Sequence, residues 1–462
     1  MEISSSFKTL PLSQNILDNL ETLGFKKMTP IQEMALPVVL KKHDLIGQAK
    51  TGSGKTAVFG LGILSNLKEK LFRPQALILC PTRELALQVA IDIRNLARGM
   101  KNIKVQTLTG GTSEYLQEKS LHHGAHIIVG TPGRVQKFLK KRILDKRAIT
   151  TFVLDEADRM LEMGFFEDIK VIESFMPDKK QTLLFSATYP ETIKELSHGL
   201  LQSPEFVKVD VKHEEGKIKQ HFFEVQDHKA KKHILPRLLT KFQPRSSLIF
   251  CKTKQICQDV AKTLQKKGHS ALAIHGDLDQ KERTLVLTKF SNQSGLILVA
   301  TDVAARGLDI KDLGAVINYD LPRDPEVYTH RIGRTGRADK EGIALNLFIE
   351  RERHLLEELD ESENGLSWNI EKAEDLPLEE NFNSTPPMTT LLIFGGKKNK
   401  IRPGDILGAL TGDAGLSGDS VGNINLFDRL CYVAVESKEA DQALSRLQSG
   451  TIKGRKFRVS KI

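Results

Sequence analysis

The first 350 residues of the chain alternate short apolar runs with longer amphipathic stretches. Each run has four to six residues rich in Val, Ile, Leu and Phe, and the stretches between them, such as residues 84–97, have helical periodicity. Strands that alternate with helices indicate parallel sheets covered by helices on both faces. The predicted strands lie at 76–80, 105–108, 126–129, 151–154 and 182–185, and again at 247–251, 270–274, 295–300, 315–318 and 342–347. We therefore predict an α/β protein with two doubly wound parallel-sheet domains, at residues 1–208 and 217–350.

The pattern changes after residue 350. Acidic residues outnumber basic ones between Glu350 and Glu380, and Ser384-Thr385-Pro386-Pro387 breaks the chain. We predict an acidic helix and a linker for residues 351–385. The remaining residues, 386–462, follow the order β-α-β-β-α-β, which is typical of a small α+β domain of the ferredoxin-like kind.

Composition narrows the class of protein. The chain has 462 residues, 40% of them hydrophobic, and a formal net charge of +10. No apolar run is long enough to span a membrane, and the first residues lack the pattern of a secretory signal. The four cysteines have no metal-binding spacing, and Cys80 and Cys251 are expected to be small buried residues of a reducing compartment. We expect a cytoplasmic protein with no membrane partner and infer no obligate oligomer. The positive charge favours a polyanionic partner only weakly, because charged runs are often solvated faces.

The stretch from Ala49 to Thr56 is the first candidate for chemistry. It follows an apolar run, precedes a predicted helix and fits G-x-x-x-x-G-K-[ST] except that Ala49 takes the first glycine position. Backbone N–H groups of such a loop and the N-terminus of the helix bind a triphosphate. Lys55 would contact the β- and γ-phosphates, and Thr56 would ligate Mg²⁺. The alternative is an incidental Gly/Ser-rich loop. The predicted ATP-binding residues here are Ala49, Thr51, Gly52, Ser53, Gly54, Lys55 and Thr56.

A strand that ends in two carboxylates is the second candidate. Val153-Leu154 is followed by Asp155 and Glu156. Asp155 would hold the magnesium ion near the phosphate loop, and Glu156 would orient and deprotonate the attacking water. The alternative is that these residues only cap the following helix.

The run Asp155-Glu156-Ala157-Asp158, together with the phosphate loop, resembles the DEAD-box family of superfamily-2 RNA helicases over residues 7 to about 350. The resemblance implies two RecA-like domains and use of ATP. It implies that Thr29-Pro30-Ile31-Gln32 reads adenine through Gln32, whose amide both donates and accepts hydrogen bonds, with Phe7 packing nearby. Lys27 belongs to the same predicted nucleotide-binding segment.

The resemblance also assigns the remaining motifs. Asp309 would reach the ATP ribose, and Arg334 and Arg337 would be arginine fingers on the γ-phosphate. The predicted catalytic residues are thus Lys55, Asp155, Glu156, Arg334 and Arg337. Residues predicted to couple hydrolysis to unwinding are Ser186, Thr188 and His330. Residues predicted to contact RNA in the two domains are Pro81, Thr82, Arg83, Gly110, Gly111, Thr131, Pro132, Gly133, Arg134, Gln280, Arg283 and Thr301.

The C-terminal segment has its own resemblance. With Ile401–Leu410, it resembles the C-terminal domain of DbpA-type bacterial helicases, an RRM-like domain. That resemblance implies binding of 23S ribosomal RNA or pre-50S particles. Only Phe394 and Tyr432 are evident aromatics for base stacking, so binding through the sheet face or through loops stays open. A domain that docks on protein is the alternative. The predicted basic RNA contacts are Lys397, Lys398, Lys400 and Arg402.

We predict an ATP- and Mg²⁺-dependent RNA helicase that unwinds RNA duplexes locally during large-subunit assembly. A general RNA chaperone or clamp of the same class, without rRNA specificity, is the first alternative. A DNA translocase with the same two domains and an RNA-binding scaffold without ATP turnover are the others.

Overall fold

The computed structural model describes residues 5–49, 52–209, 218–305, 308, 310, 313–336, 341–362, 370–376, 385–412 and 415–462. Contacts divide the chain into two compact units, one up to residue 213 and one formed by most of the remaining chain. Short 3-10 turns occur at Phe7–Thr9, Ala97–Gly99, Glu350–Glu352, Ala373–Asp375, Lys397–Asn399, Gly418–Ser420 and Ser437–Glu439.

The first unit is built on a seven-stranded parallel sheet. Its strands are β1 Leu45–Gln48, β2 Ala76–Leu79, β3 Val105–Leu108, β4 Ile127–Gly130, β5 Thr151–Leu154, β6 Gln181–Ser186 and β7 Glu205–Lys208. Their order across the sheet is β3-β4-β2-β5-β6-β1-β7. Its helices are α1 Gln14–Thr22, α2 Pro30–Leu40, α3 Lys55–Asn66, α4 Arg83–Leu96, α5 Glu114–His122, α6 Pro132–Lys140, α7 Ala157–Glu162, α8 Phe166–Ser174 and α9 Glu191–Leu200.

Helices cover both faces of this sheet, which explains why its strands are apolar at successive positions. On β2, Ile78 packs into the core formed with α2, α3 and α4. Leu77 and Leu79, which point the other way, pack into the core formed with α6 to α9. A strand buried on both faces has no position that favours a polar side chain. The continuous apolar runs of the sequence therefore correspond to central strands.

The second unit begins with another seven-stranded parallel sheet. Its strands are β8 Ile218–Val225, β9 Ser247–Cys251, β10 Ala271–Ile274, β11 Ile297–Thr301, β12 Ala315–Asn318, β13 Gly342–Ile349 and β14 Ile370–Lys372. Their order is β10-β11-β9-β12-β13-β8-β14. Its helices are α10 Lys231–Phe242, α11 Lys254–Lys266, α12 Gln280–Ser291, α13 Asp302–Ala305, α14 Pro325–Ile332 and α15 Arg353–Ser362. The predicted fold class, two parallel α/β domains and a small α+β domain, is confirmed.

The predicted acidic helix and linker at 351–385 differ from the structure in one respect. The helix is present as α15, but Ile370–Lys372 forms β14 and pairs with β8 in the second sheet. Ala373 and Leu376 then pack into the core of that domain. Because this segment pairs with β8 and these two side chains are buried, part of the expected linker belongs to the second α/β domain.

The C-terminal domain has a four-stranded antiparallel sheet, whose strands β15 Met388–Ile393, β16 Val421–Leu426, β17 Cys431–Glu436 and β18 Val459–Lys461 lie in the order β16-β17-β15-β18. Its core lies between the sheet and two helices, with Leu391, Val433 and Leu447 among its buried residues. The elements follow the predicted β-α-β-β-α-β order. They are β15 Met388–Ile393, α16 Pro403–Thr411, β16 Val421–Leu426, β17 Cys431–Glu436, α17 Ala440–Ser449 and β18 Val459–Lys461.

The other face of this sheet contacts the second α/β domain through polar groups. The Thr390 hydroxyl lies 3.2 Å from Asn292 Nδ2 and 2.5 Å from Ser294 Oγ. Asn423 Nδ2 donates to the backbone oxygen of Ser291 at 3.2 Å. Thr390 is fully buried as a result.

Cys80 and Cys251 are buried, as predicted, and so are Cys257 and Cys431. None of the four forms a disulfide. Burial raises the pKa of the Cys257 thiol to about 12, so it carries no thiolate near neutral pH. Among the helices that the structure describes, none combines the length and the apolarity needed to cross a membrane.

Candidate active site and nucleic-acid interface

The predicted ATP-binding motifs of the first domain lie at the carboxyl ends of three neighbouring strands. Ala49 follows β1, Asp155 follows β5 and Ser186 ends β6, and these strands are adjacent in the order β5-β6-β1. Ligands of parallel α/β sheets bind at this edge. Motifs separated by more than 100 residues in the chain are therefore brought together.

The phosphate loop turns sharply into helix α3. Gly52 and Gly54 have positive φ angles of 85° and 98°, a conformation that glycine adopts without strain. Lys55, the first residue of α3, is buried, and its Nζ donates to the backbone oxygen of Ala49 at 2.7 Å. Thr51 lies outside the described residues. The Lys55 side chain thus folds back onto the backbone at the start of the loop. Thr56 is the next residue of the helix.

The predicted adenine-reading segment is bonded directly to this loop. Thr29 Oγ1 donates to the backbone oxygen of Ser53 at 2.7 Å. Gln32 Oε1 accepts from the Thr29 N–H at 2.9 Å, and its Nε2 donates to the backbone oxygen of Gly54 at 3.2 Å. A Cβ at Gly54 would lie 2.4 Å from Gln32 Nε2, so a larger residue there would displace the amide.

Phe7 and Lys27 flank this segment differently. Phe7 is buried and packs edge-on against Phe25, with ring centroids 6.0 Å apart. Lys27 is exposed. The structure therefore makes Phe7 part of the packing that supports the segment, whereas the Lys27 side chain is accessible.

Asp155 and Glu156 lie at the end of β5 and are both buried. Burial, against the opposing effect of the Lys55 ammonium and with smaller contributions from the neighbouring Glu156 and Asp158, raises the pKa of Asp155 to about 7. Glu156 has a positive φ of 54°, an uncommon conformation for a non-glycine residue that is typical of functional sites. Its Oε2 lies 3.5 Å from Arg159 Nε.

The donor set at this site fits a magnesium ion held partly by a nucleotide. Asp155 Oδ1 is buried and accepts no hydrogen bond from the residues that the structure describes. Those residues contain no group of three or more His, Cys, Asp or Glu side chains able to hold a metal. Magnesium commonly binds through one or two protein oxygens plus substrate phosphates and water, so one carboxylate and the Thr56 hydroxyl suffice.

Asp158 is a residue of this site that the sequence interpretation did not assign. Its Oδ2 accepts hydrogen bonds from the N–H groups of Ala187 and Thr188, at 3.0 and 3.1 Å, and its own N–H donates to Ser186 Oγ at 3.3 Å. Asp158 thereby ties the helix after Glu156 to the predicted coupling residues Ser186 and Thr188. The only signal in the sequence was its place in the same four-residue motif.

The predicted RNA contacts of the first domain occupy the other half of the same sheet edge. They follow β2, β3 and β4, which are neighbours in the order β3-β4-β2. After β2, Thr82 caps α4 by accepting from the Leu85 N–H at 3.2 Å, and Pro81 is buried beside it. After β3, Gly110 lets the Arg83 guanidinium approach closely, because a Cβ at Gly110 would lie 2.8 Å from Arg83 Nη2.

The third of these segments follows β4. Pro132 starts α6 after Thr131, and Gly133 is exposed with no atom near its Cα hydrogens. Arg134 Nη1 donates to Gln117 Oε1 at 3.0 Å and to the Thr112 backbone oxygen at 3.4 Å. Arg134 therefore braces the turn that contains Gly111, whose φ is 72°.

In the second α/β domain the candidate residues again follow adjacent strands. Gln280 opens α12 after β10, and Thr301 ends β11. Arg283 Nη2 donates to the Ala304 backbone oxygen at 3.4 Å, which links α12 to α13. His330 lies in α14, and Arg334 follows it in a turn and is largely buried. Asp309 and Arg337 lie outside the described residues.

The C-terminal domain exposes its basic residues on loops. Lys397, Lys398, Lys400 and Arg402 are all exposed. Nearby, the Phe394 ring is 43% exposed, and the Arg458 guanidinium lies 5.2 Å from its centroid. Tyr432, in contrast, is 7% exposed. The Phe394 ring therefore offers accessible aromatic surface at the strand end beside the basic loops.

Three known families match successive parts of the chain. The DEAD/DEAH box helicase family matches residues 29–196, the helicase conserved C-terminal domain matches residues 230–339, and the DbpA RNA binding domain matches residues 390–461. The matches follow the three domains of the structure in order.

Known proteins resemble the chain along its length. It is 47% identical to the ATP-dependent RNA helicase DbpA of Escherichia coli and 36% identical to that of Bacillus subtilis, each over 99% of both chains. Among solved structures, S. cerevisiae Dbp5 bound to RNA and ADP BeF3 has a TM-score of 0.74 and 30% identity, covering 80% of this chain and 97% of that one. Mss116p bound to ssRNA and AMP-PNP has a TM-score of 0.72 and 28% identity, covering 80% of each chain.

Proposed function

The chain belongs to the DEAD-box ATP-dependent RNA helicases, and on this premise we propose that its C-terminal domain directs local RNA unwinding to 23S ribosomal RNA. The single observation that supports this most is the match of residues 390–461 to the DbpA RNA binding domain in a chain similar to DbpA from end to end. The process would be assembly of the large ribosomal subunit. A general RNA chaperone or clamp of the same family is the competing proposal. The predicted cytoplasmic location stays a prediction.

In the proposed ATP site, the first domain binds the nucleotide. Lys55 exchanges the Ala49 carbonyl for phosphate oxygens, and Gln32 turns from Gly54 to the adenine edge. Thr56 and Asp155 would hold magnesium, which when bound neutralises phosphate charge. Glu156 accepts a proton from water at its carboxylate, within a site that burial shields from solvent.

The proposed hydrolysis also needs residues of the second α/β domain. Arg334 and Arg337 would stabilise charge on the γ-phosphate, and Asp309 would bind the ribose. RNA would be bound by the strand-end segments of both domains through its sugar-phosphate backbone. RNA binding and hydrolysis would then be coupled because both require the two domains together.

For the C-terminal domain we propose RNA contact through its loops. The support is the exposed group of Lys397, Lys398 and Lys400 beside the exposed Phe394 ring. The centre of the sheet face offers less, since Thr390 is buried against Asn292 and Ser294. Cations beside one accessible aromatic ring suit a phosphate backbone with a stacked base.

The test is ATP turnover by the full chain with three nucleic acids of equal length: a 23S rRNA fragment, an unrelated structured RNA, and DNA of the same sequence as the fragment. We expect the 23S fragment to stimulate turnover at the lowest concentration and DNA to stimulate least. Lys398→Ala combined with Lys400→Ala should raise the concentration of the 23S fragment needed, whereas Lys438→Ala, an exposed lysine paired with Glu436, should not.

Equal responses to the two RNAs would support the general chaperone instead. Equal stimulation by DNA would contradict the proposed RNA selectivity.

A further inference from the structure

Arg331, near the end of α14, lies in a buried network of polar groups. Its Nε and Nη2 donate to the two carboxylate oxygens of Asp302, each at 2.7 Å. Its Nη1 donates to Asn318 Oδ1 and to the Asp320 backbone oxygen, both at 2.8 Å. The side chain is 4% exposed, so Arg331 directs its whole guanidinium into the protein.

The acceptors around Arg331 are themselves held in place. Asn318 Nδ2 donates to Asn346 Oδ1 at 2.8 Å, and Asn346 Nδ2 donates to the His221 backbone oxygen at 3.1 Å. These contacts fix the orientation of the Asn318 amide across β12, β13 and β8. The guanidinium also lies 4.8 Å from the centroid of the Phe250 ring. Arg331 therefore contacts groups of β9, β12 and α13, and Asn318 of β12 is held in turn by β13 and β8.

The network connects the segment of Thr301, which is proposed to contact RNA, with the turn of Arg334, which is proposed to contact the γ-phosphate. Asp302 directly follows Thr301, the proposed RNA contact at the end of β11, and begins α13. On the other side, the backbone oxygen of Arg331 accepts from the Arg334 N–H at 3.2 Å in the turn after α14. A shift of Thr301 and α13 thus reaches the turn of Arg334 through one side chain.

Burying a charged arginine costs free energy of desolvation, and packing alone does not explain why an arginine stands here. A buried arginine must be fully hydrogen-bonded, and an apolar core of similar volume is often at least as stable as a buried ion pair. The planar fork of arginine, however, fixes direction as well as distance, which a lysine cannot do.

We propose that Arg331 is a positioning residue that transmits RNA binding at the Thr301 segment to Arg334, through its two-pronged contact with Asp302. Arg331 touches neither RNA nor nucleotide in this scheme. Its guanidinium holds α13 and the turn after α14 in one arrangement, so that Arg334 is placed correctly when RNA is bound. The inference rests on the proposed roles of Thr301 and Arg334 in the ATP-dependent RNA helicase reaction.

The test compares Arg331→Lys with Lys231→Met in the full chain. Lys231 is equally buried and contacts Asp320 and Glu352, at 3.7 and 3.1 Å, without an ion pair to Asp302. For each variant, ATP turnover is measured with and without saturating unrelated RNA, together with KM for ATP and the thermal unfolding midpoint. A misplacement of about 1 Å can cost ~10²-fold in rate. We therefore expect Arg331→Lys to lower the RNA-stimulated kcat by tenfold or more (at most about 10²-fold) with little change in KM for ATP.

Lys231→Met serves as the matched control for stability. We expect it to lower the unfolding midpoint at least as much as Arg331→Lys and to keep RNA-stimulated turnover close to wild type. Asp302→Asn should reproduce the loss of RNA stimulation. The double variant of Asp302→Asn and Arg331→Lys should lose little more than either single variant, because both substitutions break the same contact.

Two results would overturn the inference. One is wild-type RNA stimulation in Arg331→Lys; the other is a loss of turnover in both Arg331→Lys and Lys231→Met that follows their loss of stability, which would make Arg331 a structural residue only. Failure of the proposed function is distinct, because it is measured on the wild-type chain, as equal stimulation by the 23S fragment and the unrelated RNA or as equal stimulation by DNA.

Discussion

The two parallel sheets share one architecture, but some of the buried charged groups near their strand ends differ in whether they are paired. In the first sheet, Asp155 follows β5 and has a buried oxygen that accepts no hydrogen bond from the described residues, and the buried Ser53 hydroxyl also has no partner among them. In the second, Arg331 is bonded to Asp302 and Asn318, and Lys231 is paired with Asp320 and Glu352.

Unpaired buried groups and paired buried charges are suited to different tasks, the first to binding a ligand and the second to positioning a segment of the chain. Buried polar groups without partners destabilise a protein unless a ligand satisfies them, so the first strand ends are suited to bind one. Buried charges that are already paired gain nothing from a ligand but fix the geometry of their segments. The second copy of the fold therefore adds a rigid support of paired buried charges beside its own proposed RNA and ATP contacts.

The largest effect should come from Glu156→Gln in the first domain. The amide keeps the size of the side chain but cannot accept a proton from water. We expect RNA-stimulated ATP turnover to fall by ~10²–10⁴-fold, with ATP binding retained, as measured by phosphate release and by equilibrium nucleotide binding. Glu167→Gln, an exposed glutamate on α8, should leave both values unchanged. Unaltered turnover in Glu156→Gln would instead favour the scaffold without ATP hydrolysis.

An intermediate effect, on duplex unwinding, is expected for Asp158→Asn. This variant tests whether a buried polar group of the first domain serves function rather than stability. The neutral amide accepts the Ala187 and Thr188 N–H groups less strongly than a carboxylate, for which such bonds contribute ~1.5–3 kcal/mol. Duplex unwinding should fall more than ATP turnover when both are followed in one sample.

A suitable control for Asp158→Asn is Asp168→Asn. Asp168 also accepts a hydrogen bond, from Gln136 Nε2 at 2.7 Å, but between α8 and α6. A proportional decrease of unwinding and ATP turnover in Asp158→Asn would contradict a coupling role.

The smallest effect should come from Glu371 on β14, in the second domain. Burial alone would raise the pKa of Glu371, but hydrogen bonds from Lys241 and His221 outweigh it and lower that pKa below its usual value. A carboxyl with a lower pKa in the folded state stabilises the fold above its unfolded pKa of ~4.3 and loses that contribution as the pH falls through the folded value.

Glu371→Gln should therefore lower the free energy of unfolding near neutral pH by about 0.2–1 kcal/mol, as is usual for exposed pairs. The gap between variant and wild type should narrow in acid, as measured by denaturant unfolding across that range. A gap that stays constant with pH would show that the ion pairs of Glu371 do not hold β14 in place.

Local sequence was sufficient for most of the strands and most chemical motifs, but not for β7 and β8, which were not predicted. A strand buried on both faces is largely apolar along its length, so β2 and β5 are visible without a structure. The phosphate loop is visible too, because glycine is required where Gly52 and Gly54 adopt positive φ angles. The short β14 gave no such signal, since its three residues include Glu371 and Lys372, and it is held by pairing with β8.

The sequence by itself determined which residue types are available for ATP and RNA chemistry, and in which order. Only the tertiary structure decided which of them meet. Asp302 and Arg331 are 29 residues apart in the chain, and Thr390 and Asn292 are 98 apart. The reason is physical: periodicity and turn chemistry act over a few neighbouring residues, whereas a buried hydrogen bond depends on where two distant segments are packed.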